Sequence, residues 1–191
     1  MKHSVDELLA VIYRYYPRGL YPDDPGYHDT EEHRRLVRAR LKAAAEGGPW
    51  DVLLDHLYAR FPDAVMNRSL GLFTGSYDAG YQGSISLPLR GWYEKYRAVY
   101  CVISFLVPYY AVYTAANVVA PVTHGGQMTC YRDFTFTPDE EPYARALTEE
   151  ILAGFPGYEP MPPEIGYTPL PADIKSFWKG TIYDALFTEA M

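Results

Sequence analysis

The sequence predicts an α+β fold in a single domain, 1–191, with N-terminal helices packed on a central antiparallel sheet and a C-terminal helix and Pro-rich extended arm. The length of 191 residues and an apolar content of 48% suit one domain with a substantial core. Helical periodicity dominates residues 1–64, whereas β-branched and aromatic residues between glycines dominate residues 65–137. Residues 138–191 combine an acidic helix, the arm and a short closing helix.

Three helices are predicted in the N-terminal part. A capping box, Ser4–Glu7, opens the first helix, and Pro17 stops it. The second helix starts near Thr30 and ends at the glycine pair 47–48. Pro49 suits the first position of the third helix. Its apolar residues follow helical spacing: Trp50, Leu53, Leu54, Leu57, Tyr58 and Phe61.

Short antiparallel strands are predicted from about residue 65, because glycines recur there between β-forming residues. In chain order we expect a turn at 77–80, central strands at 93–107 and 109–120, a loop at 123–127 and a last strand at 128–137. Both central strands are apolar on both faces. We therefore expect helices over one face of the sheet and loops or a partner over the other.

The C-terminal third begins with a helix and continues as an arm. A capping box with proline as the first helical residue predicts a helix start at Thr137, and Gly154 or Gly157 ends that helix. Six prolines within 156–174 exclude a regular helix or a central strand, so this arm is expected to lie extended over the surface. A short helix at 181–189 closes the chain.

All of the net charge lies in the last third. Residues 1–130 carry 13 Lys/Arg and 13 Asp/Glu, whereas residues 131–191 carry 4 and 11, which gives the net −7 of the chain. Nucleic-acid binding needs a basic surface, so this composition argues against a nucleic-acid ligand. A basic protein partner suits it instead.

The acidic surplus supplies the candidate binding residues. Glu149 and Glu150 fall in the last turns of their helix, where the helix dipole disfavours negative charge. On the arm, carboxylates and tyrosines alternate with prolines, and a stiff segment loses little entropy on binding. The alternative is an acidic surface that only keeps the protein soluble. The predicted partner-binding residues are Glu149, Glu150, Tyr158, Glu159, Glu164, Tyr167 and Asp173.

No catalytic or cofactor motif is evident. A G-x-S-x-G elbow, a phosphate-binding loop and H-E-x-x-H are all missing from the sequence. His28 and His33 lie among carboxylates, but their spacing does not place both on one helix face, so no metal site is predicted. We expect no catalytic residue, no cofactor and no enzymatic activity. Cys101 and Cys130 are expected to be reduced core thiols, with a disulfide between them as the alternative.

Membrane insertion and secretion are not predicted. Residues 98–131 carry no charged side chain, which is long enough for a membrane span, but Pro108 and several polar residues interrupt the stretch. The N-terminus lacks a basic start followed by an unbroken apolar run, so it is not a secretory signal. A cytoplasmic protein is therefore expected.

Two segments suggest a functional class. With its stretch FPGYEPMPPEIGYTPLPADI and its ending TIYDALF, the chain resembles, in overall character, the immunity proteins of bacterial polymorphic toxin systems. This resemblance implies a small cytoplasmic protein that neutralises a toxin by occluding it. Our first hypothesis is therefore a non-enzymatic binding protein for a basic partner, such as a toxin.

Two alternatives remain open. The first is a small-molecule-binding protein or enzyme with an aromatic pocket between the sheet and the Pro-rich arm. The second is a homodimer in which the basic second helix, with its arginines at 34, 35, 38 and 40, meets the acidic third of another copy.

Overall fold

A computed structural model describes residues 3–62, 64, 66–69, 79–90, 94–120, 127–177 and 180–187. Within these ranges the helices are α1 (Val5–Tyr15), α2 (Glu31–Ala45), α3 (Gly48–Arg60), α4 (Glu141–Gly154), α5 (Pro163–Gly166) and α6 (Ile182–Leu186). The strands are β1 (Met66–Ser69), β2 (Gly80–Ser86), β3 (Glu94–Ser104), β4 (Tyr109–Ala120), β5 (Gln127–Asp133) and β6 (Glu159–Pro160). Most of the predicted turn at 77–80 and loop at 123–127 lies outside the described residues.

The strands form one sheet in the order β1-β2-β3-β4-β5, and every neighbour on this path is antiparallel. β5 pairs with residues 114–120 of β4, and the short β6 pairs in parallel with Tyr109 and Tyr110 at the other end of β4. The predicted α+β fold with a central antiparallel sheet is confirmed.

Helices cover both faces of the described sheet. On one face, Leu8 and Ile12 of α1 and the residues of α6 share a core with Val102 and Tyr113. On the other face, α3 and α4 pack against β2, β3 and the start of β4. The expectation that loops or a partner cover the second face is therefore wrong for this part of the sheet, because α4 returns beside α3.

Local sequence signals account for the helix starts in the N-terminal part. Ser4 and Glu7 form the expected capping box: the Glu7 amide donates to the Ser4 hydroxyl and the Ser4 amide donates to the Glu7 carboxylate.

Gly83 of β2 explains how Trp50 of α3 reaches the sheet. A Cβ at Gly83 would lie 3.0 Å from the Trp50 ring, so a larger residue there would require this fully buried indole to shift.

The C-terminal helix starts later than expected. α4 begins at Glu141 and Glu140 is its N-cap residue, whereas the sequence pattern placed the start at Thr137. The Thr137 hydroxyl does not cap the helix; it donates to Asp139 at 2.6 Å and accepts from Arg90. One half of the predicted box is present, since the Thr137 amide donates to the Glu140 carboxylate at 2.8 Å.

The arm is more structured than an extended chain. It contributes β6 and the single turn α5, and it buries Met161, Ile165 and Ile174 in the core. α6 follows, opened by a capping box between Thr181 and Asp184, and the predicted residues 188–189 of this helix lie outside the described ranges. Across the described residues, no helix is both long and apolar enough to cross a membrane.

A buried ion pair joins the sheet to α4. Arg97 of β3 and Glu140 expose 2% and 3% of their side chains, and the Arg97 Nη2 lies 2.6 Å from the Glu140 Oε1. Arg97 also donates to Asp139 at 2.8 Å and to the Pro88 carbonyl at 3.3 Å. Arg90 adds a second guanidinium, 3.1 Å from the same Glu140 oxygen. We call Arg90, Arg97, Thr137, Asp139 and Glu140 the Arg97 network.

The electrostatics of the network favour its charged form. Burial acts to raise the pKa of Glu140, but hydrogen bonds from Thr137 and Arg97 outweigh it and hold this pKa below its ordinary value. Hydrogen bonds from Thr137 and then Arg97 hold the pKa of Asp139 well below the usual range. Burial acts to lower the pKa of Arg97, yet its two carboxylate partners raise it. The pair therefore stays ionised despite its burial.

Removing one partner of this pair should destabilise the fold. We expect Glu140→Gln to lower the free energy of unfolding by about 3 kcal/mol, because it leaves the buried Arg97 charge without its closest carboxylate. Urea denaturation measures the change. Glu141→Gln is the matched control. Glu141 is the next residue and is exposed, so we expect the free energy of unfolding to change by no more than about 0.5 kcal/mol. Equal effects of the two substitutions would contradict this assignment.

The stability difference between the wild type and Glu140→Gln should depend on pH. The folded-state pKa of Glu140 is depressed, so its contribution is present above the unfolded-state pKa of about 4.3 and is lost as the pH falls through the folded-state pKa. We expect a constant difference above about pH 5.5 that shrinks below about pH 4. Urea titrations across this range test it, and a difference that shrinks above neutral pH would contradict it.

Candidate partner-binding surface

The carboxylates at the end of α4 have partners on α3. Glu149 accepts from Arg60 at 2.7 Å, and Glu150 accepts from His56 at 2.8 Å. These contacts offset the unfavourable position of two carboxylates near the negative end of a helix. In the sequence, Glu149 and Glu150 stand out because the helix dipole disfavours carboxylates there, and contacts within the chain account for that position.

A groove runs between α3 and α4 beside these pairs. It encloses about 310 Å³ and is lined by Pro49, Val52, Leu53, His56, Glu150, Ala153 and Gly154. Its walls are apolar, and Val52 is 52% exposed. The contact between His56 and Glu150 spans the groove, and Glu150 keeps 21% of its side chain exposed. We call this feature the α3–α4 groove.

The first two predicted residues of the arm are tied to the sheet. The Tyr158 hydroxyl donates to the Ser104 carbonyl at 3.1 Å, and burial raises the pKa of this tyrosine. The Glu159 amide donates to the Pro108 carbonyl at 3.1 Å as part of β6. Both residues are half-buried and contribute to the attachment of the arm.

The next two predicted residues lie at the surface. Glu164 is exposed on α5. Tyr167 is 43% exposed, and its ring meets Phe134 edge-on with 6.0 Å between the ring centroids. Of the predicted residues, these two resemble a free contact surface most closely.

Asp173 fastens the arm to the chain that follows α1. Its carboxylate lies 3.2 Å from the Arg18 Nε and accepts from the Tyr13 hydroxyl at 3.2 Å. Its carbonyl accepts from the Gly19 amide at 2.7 Å. Gly19 has a φ of 73°, a conformation that favours glycine. The role of Asp173 in the structure is attachment of the arm.

The seven predicted residues thus contact different parts of the chain and do not converge on one patch. Glu149 and Glu150 meet α3, Tyr158 and Glu159 meet the segment around β4, and Asp173 meets the segment after α1. The surplus acid of the last third serves in large part to hold that third onto the rest of the molecule. In the described part of the last third, Asp139, Glu140, Glu149, Asp173 and Asp184 each contact an arginine, and Glu150 contacts His56.

Sequence reasoning missed two of these contacts. Asp184 accepts from both terminal nitrogens of Arg132 at 3.1 Å, and its second oxygen accepts from Thr181. The Thr181 and Asp184 spacing is a capping signal that was available in the sequence. The pairing of Arg97 with Glu140 joins residues 43 positions apart, and no local sequence pattern predicts such a contact.

The basic face of α2 pairs with its own neighbours. Arg34 lies 3.2 Å from the Asp29 carboxylate, Arg35 lies 3.6 Å from Glu31, and Arg38 contacts Glu31 as well. Its arginines therefore meet carboxylates that flank the start of their own helix. This local pairing weakens the hypothesis that α2 receives the acidic third of another copy.

Among the residues considered for catalysis or metal binding, the structure describes the side chains of Cys101, His28 and His33. Cys101 is a free, fully buried thiol, and burial raises its pKa to about 12, so it is not a thiolate at neutral pH. The side chain of Cys130 and all of His124 lie outside the described residues. His28 and His33 do meet, with 3.1 Å between ring nitrogens, because a 3-10 turn brings His28 towards α2. Among the described side chains, no group of three or more His, Cys, Asp or Glu could hold a metal ion.

Comparison of the chain with protein-family models, with curated proteins and with solved structures finds no match. The functional argument therefore depends on the geometry of the chain alone.

The ion pair at the edge of the groove should add little stability. Glu149 and Arg60 expose 53% and 41% of their side chains, so solvent screens their attraction. We expect Glu149→Gln to change the free energy of unfolding by less than about 0.5 kcal/mol. Urea denaturation beside Glu140→Gln measures this, and a loss as large as that of Glu140→Gln would contradict it.

Proposed function

We propose that this chain is a non-enzymatic binding protein that occludes a basic protein surface, with the contact centred on the α3–α4 groove. The observation that carries the proposal is the combination of exposed apolar walls with a partly exposed carboxylate, Glu150, in the same groove. Asp51 and Asp55 are also exposed on α3, which adds to the acidic character of this side of the molecule. A contact built this way combines apolar burial with charge complementarity.

An arginine side chain fits the chemistry of the groove. Its aliphatic stem would lie along Pro49, Val52 and Leu53, and its guanidinium would meet the Glu150 carboxylate. Arginine is favoured for such contacts because its planar group binds a carboxylate through two hydrogen bonds. A groove of about 310 Å³ holds one such anchor residue rather than a whole interface.

His56 supports an exchange of partners at Glu150. The imidazole is 60% exposed and holds Glu150 at 2.8 Å in the unbound chain. A guanidinium is always charged and can bind a carboxylate through two hydrogen bonds, so it is a stronger partner for Glu150 than one ring nitrogen of an imidazole. The existing contact keeps Glu150 oriented across the groove until the partner replaces it.

The immunity proteins of polymorphic toxin systems are the class that fits this proposal. The small size, the net charge of −7 and the aromatic content of 16% suit an inhibitor that covers a basic surface of a toxin. The proposal includes the cytoplasmic location expected from the sequence. In this form the partner is a toxin that the chain inactivates by covering it.

The test compares two isosteric charge removals. Wild-type chain, Glu150→Gln and the control Glu164→Gln are immobilised and exposed to an extract of the native cell, and the retained protein is identified and titrated by calorimetry. We expect a basic protein whose affinity falls with added salt, and a loss of at least about tenfold with Glu150→Gln. Glu164→Gln removes an exposed carboxylate outside the groove and should change the affinity less than about twofold.

The outcomes separate the parts of the proposal. An unchanged affinity with Glu150→Gln would place the contact outside the groove, and a selective loss with Glu164→Gln would favour the arm. A retained protein that is acidic, or that binds independently of salt, would contradict the proposed chemistry. Growth arrest by the retained protein alone, relieved by wild-type chain, would support the immunity class.

A further inference from the structure

A second cavity lies between the arm and the loop that follows α1. It encloses about 360 Å³ and is lined by Tyr21, Leu170, Pro171, Ala172, Ile174, Lys175, Phe177 and Gly180. This volume is within the range of small-molecule sites, which begins at about 300 Å³. The cavity is formed by the arm and the loop, and not by the arm and the sheet as the sequence suggested for an aromatic pocket. We call it the arm pocket.

The walls of the arm pocket are held in place by the fold. Arg18 forms an isolated β-bridge with Ile174, and the Leu170 amide donates to the Gly180 carbonyl at 2.9 Å. Phe177 meets the buried Tyr16 ring edge-on, with 5.0 Å between centroids. Gly180 is required because a Cβ there would lie 2.3 Å from the Phe177 Cβ. A preformed pocket of this kind loses little entropy when a ligand enters.

One cation is found among the described lining residues of the arm pocket. Of these eight residues, only Lys175 carries a charge, and its ammonium lies 5.7 Å from the centroid of the Tyr21 ring. The nearby Asp173 is engaged by Arg18, and Asp24 accepts from the Tyr21 amide at 2.7 Å. Neither of these carboxylates lines the cavity, so the charge that faces a ligand is positive.

We infer that the arm pocket is a binding site for a small aromatic anion, such as an aromatic carboxylate. The planar body of the ligand lies against Tyr21, Phe177 and the aliphatic lining, where aromatic rings contribute both contact area and favourable stacking. The carboxylate meets the Lys175 ammonium at the rim. This site is independent of the α3–α4 groove, since the two cavities share no lining residue.

Calorimetry with naphthoate and with its neutral analogue naphthamide tests the inference on the intact chain. We expect saturable binding of one naphthoate per chain, and Lys175→Gln should weaken it about fivefold, since a partly exposed charge pair contributes modestly. Naphthamide lacks the charge, so its affinity should be the same for wild type and Lys175→Gln. Ala172→Phe adds a ring at an exposed lining position and should reduce the affinity for both probes.

Two controls keep this result separate from the proposed function. Lys42→Gln removes another lysine, which is 73% exposed on α2, and should leave naphthoate binding unchanged. Glu150→Gln alters the α3–α4 groove and should also leave it unchanged. No saturable naphthoate binding, equal losses with the two lysine variants, or full binding to Ala172→Phe would each overturn the inference.

Discussion

The structure depends on the buried pairing of Arg97 with Glu140. A guanidinium at 2% exposure is tolerated in the interior only because carboxylates and carbonyls use its donors. The two carboxylates, from Asp139 and Glu140, lie more than forty positions later, at the start of α4. This contact sets where the last third begins its path over the sheet. The elements that follow this contact in the chain then pack in turn: α4 lies beside α3, β6 beside β4 and α6 beside β5.

The uneven distribution of charge acquires a structural meaning from this arrangement. The side chains that pair with the acidic third include Arg18, His56, Arg60, Arg90 and Arg97, and all of them belong to the electrically balanced part of the chain. Most of these contacts are exposed and contribute little free energy each. These pairs instead help to fix the orientation of residues 131–191 on residues 1–130, because each pair forms in only one arrangement of the two parts.

The sequence predicts the fold class and most element types because those signals are local. The capping box at Ser4 involves residues three positions apart. Enrichment in β-branched and aromatic residues identifies β3 and β4 without knowledge of their neighbours. The start of α4 was misplaced because the Thr137 hydroxyl contacts the Asp139 carboxylate and the Arg90 guanidinium and does not cap the helix. Of the seven predicted partner-binding residues, Glu150 is the one found among the described lining residues of the α3–α4 groove. The groove itself depends on how two helices pack, so no single segment encodes it.

The attachment of β6 has a consequence for how the sheet ends. β5 covers only residues 114–120 of β4, and beyond it the arm donates the Glu159 and Met161 amides to the carbonyls of Pro108 and Tyr110. Pro160 and Pro162 have no amide hydrogen, so the arm offers few donors on its far side. A sheet edge closed by such a segment is a poor template for a strand from another molecule. The prolines therefore leave this short stretch of the sheet edge with few donors for a strand from another molecule.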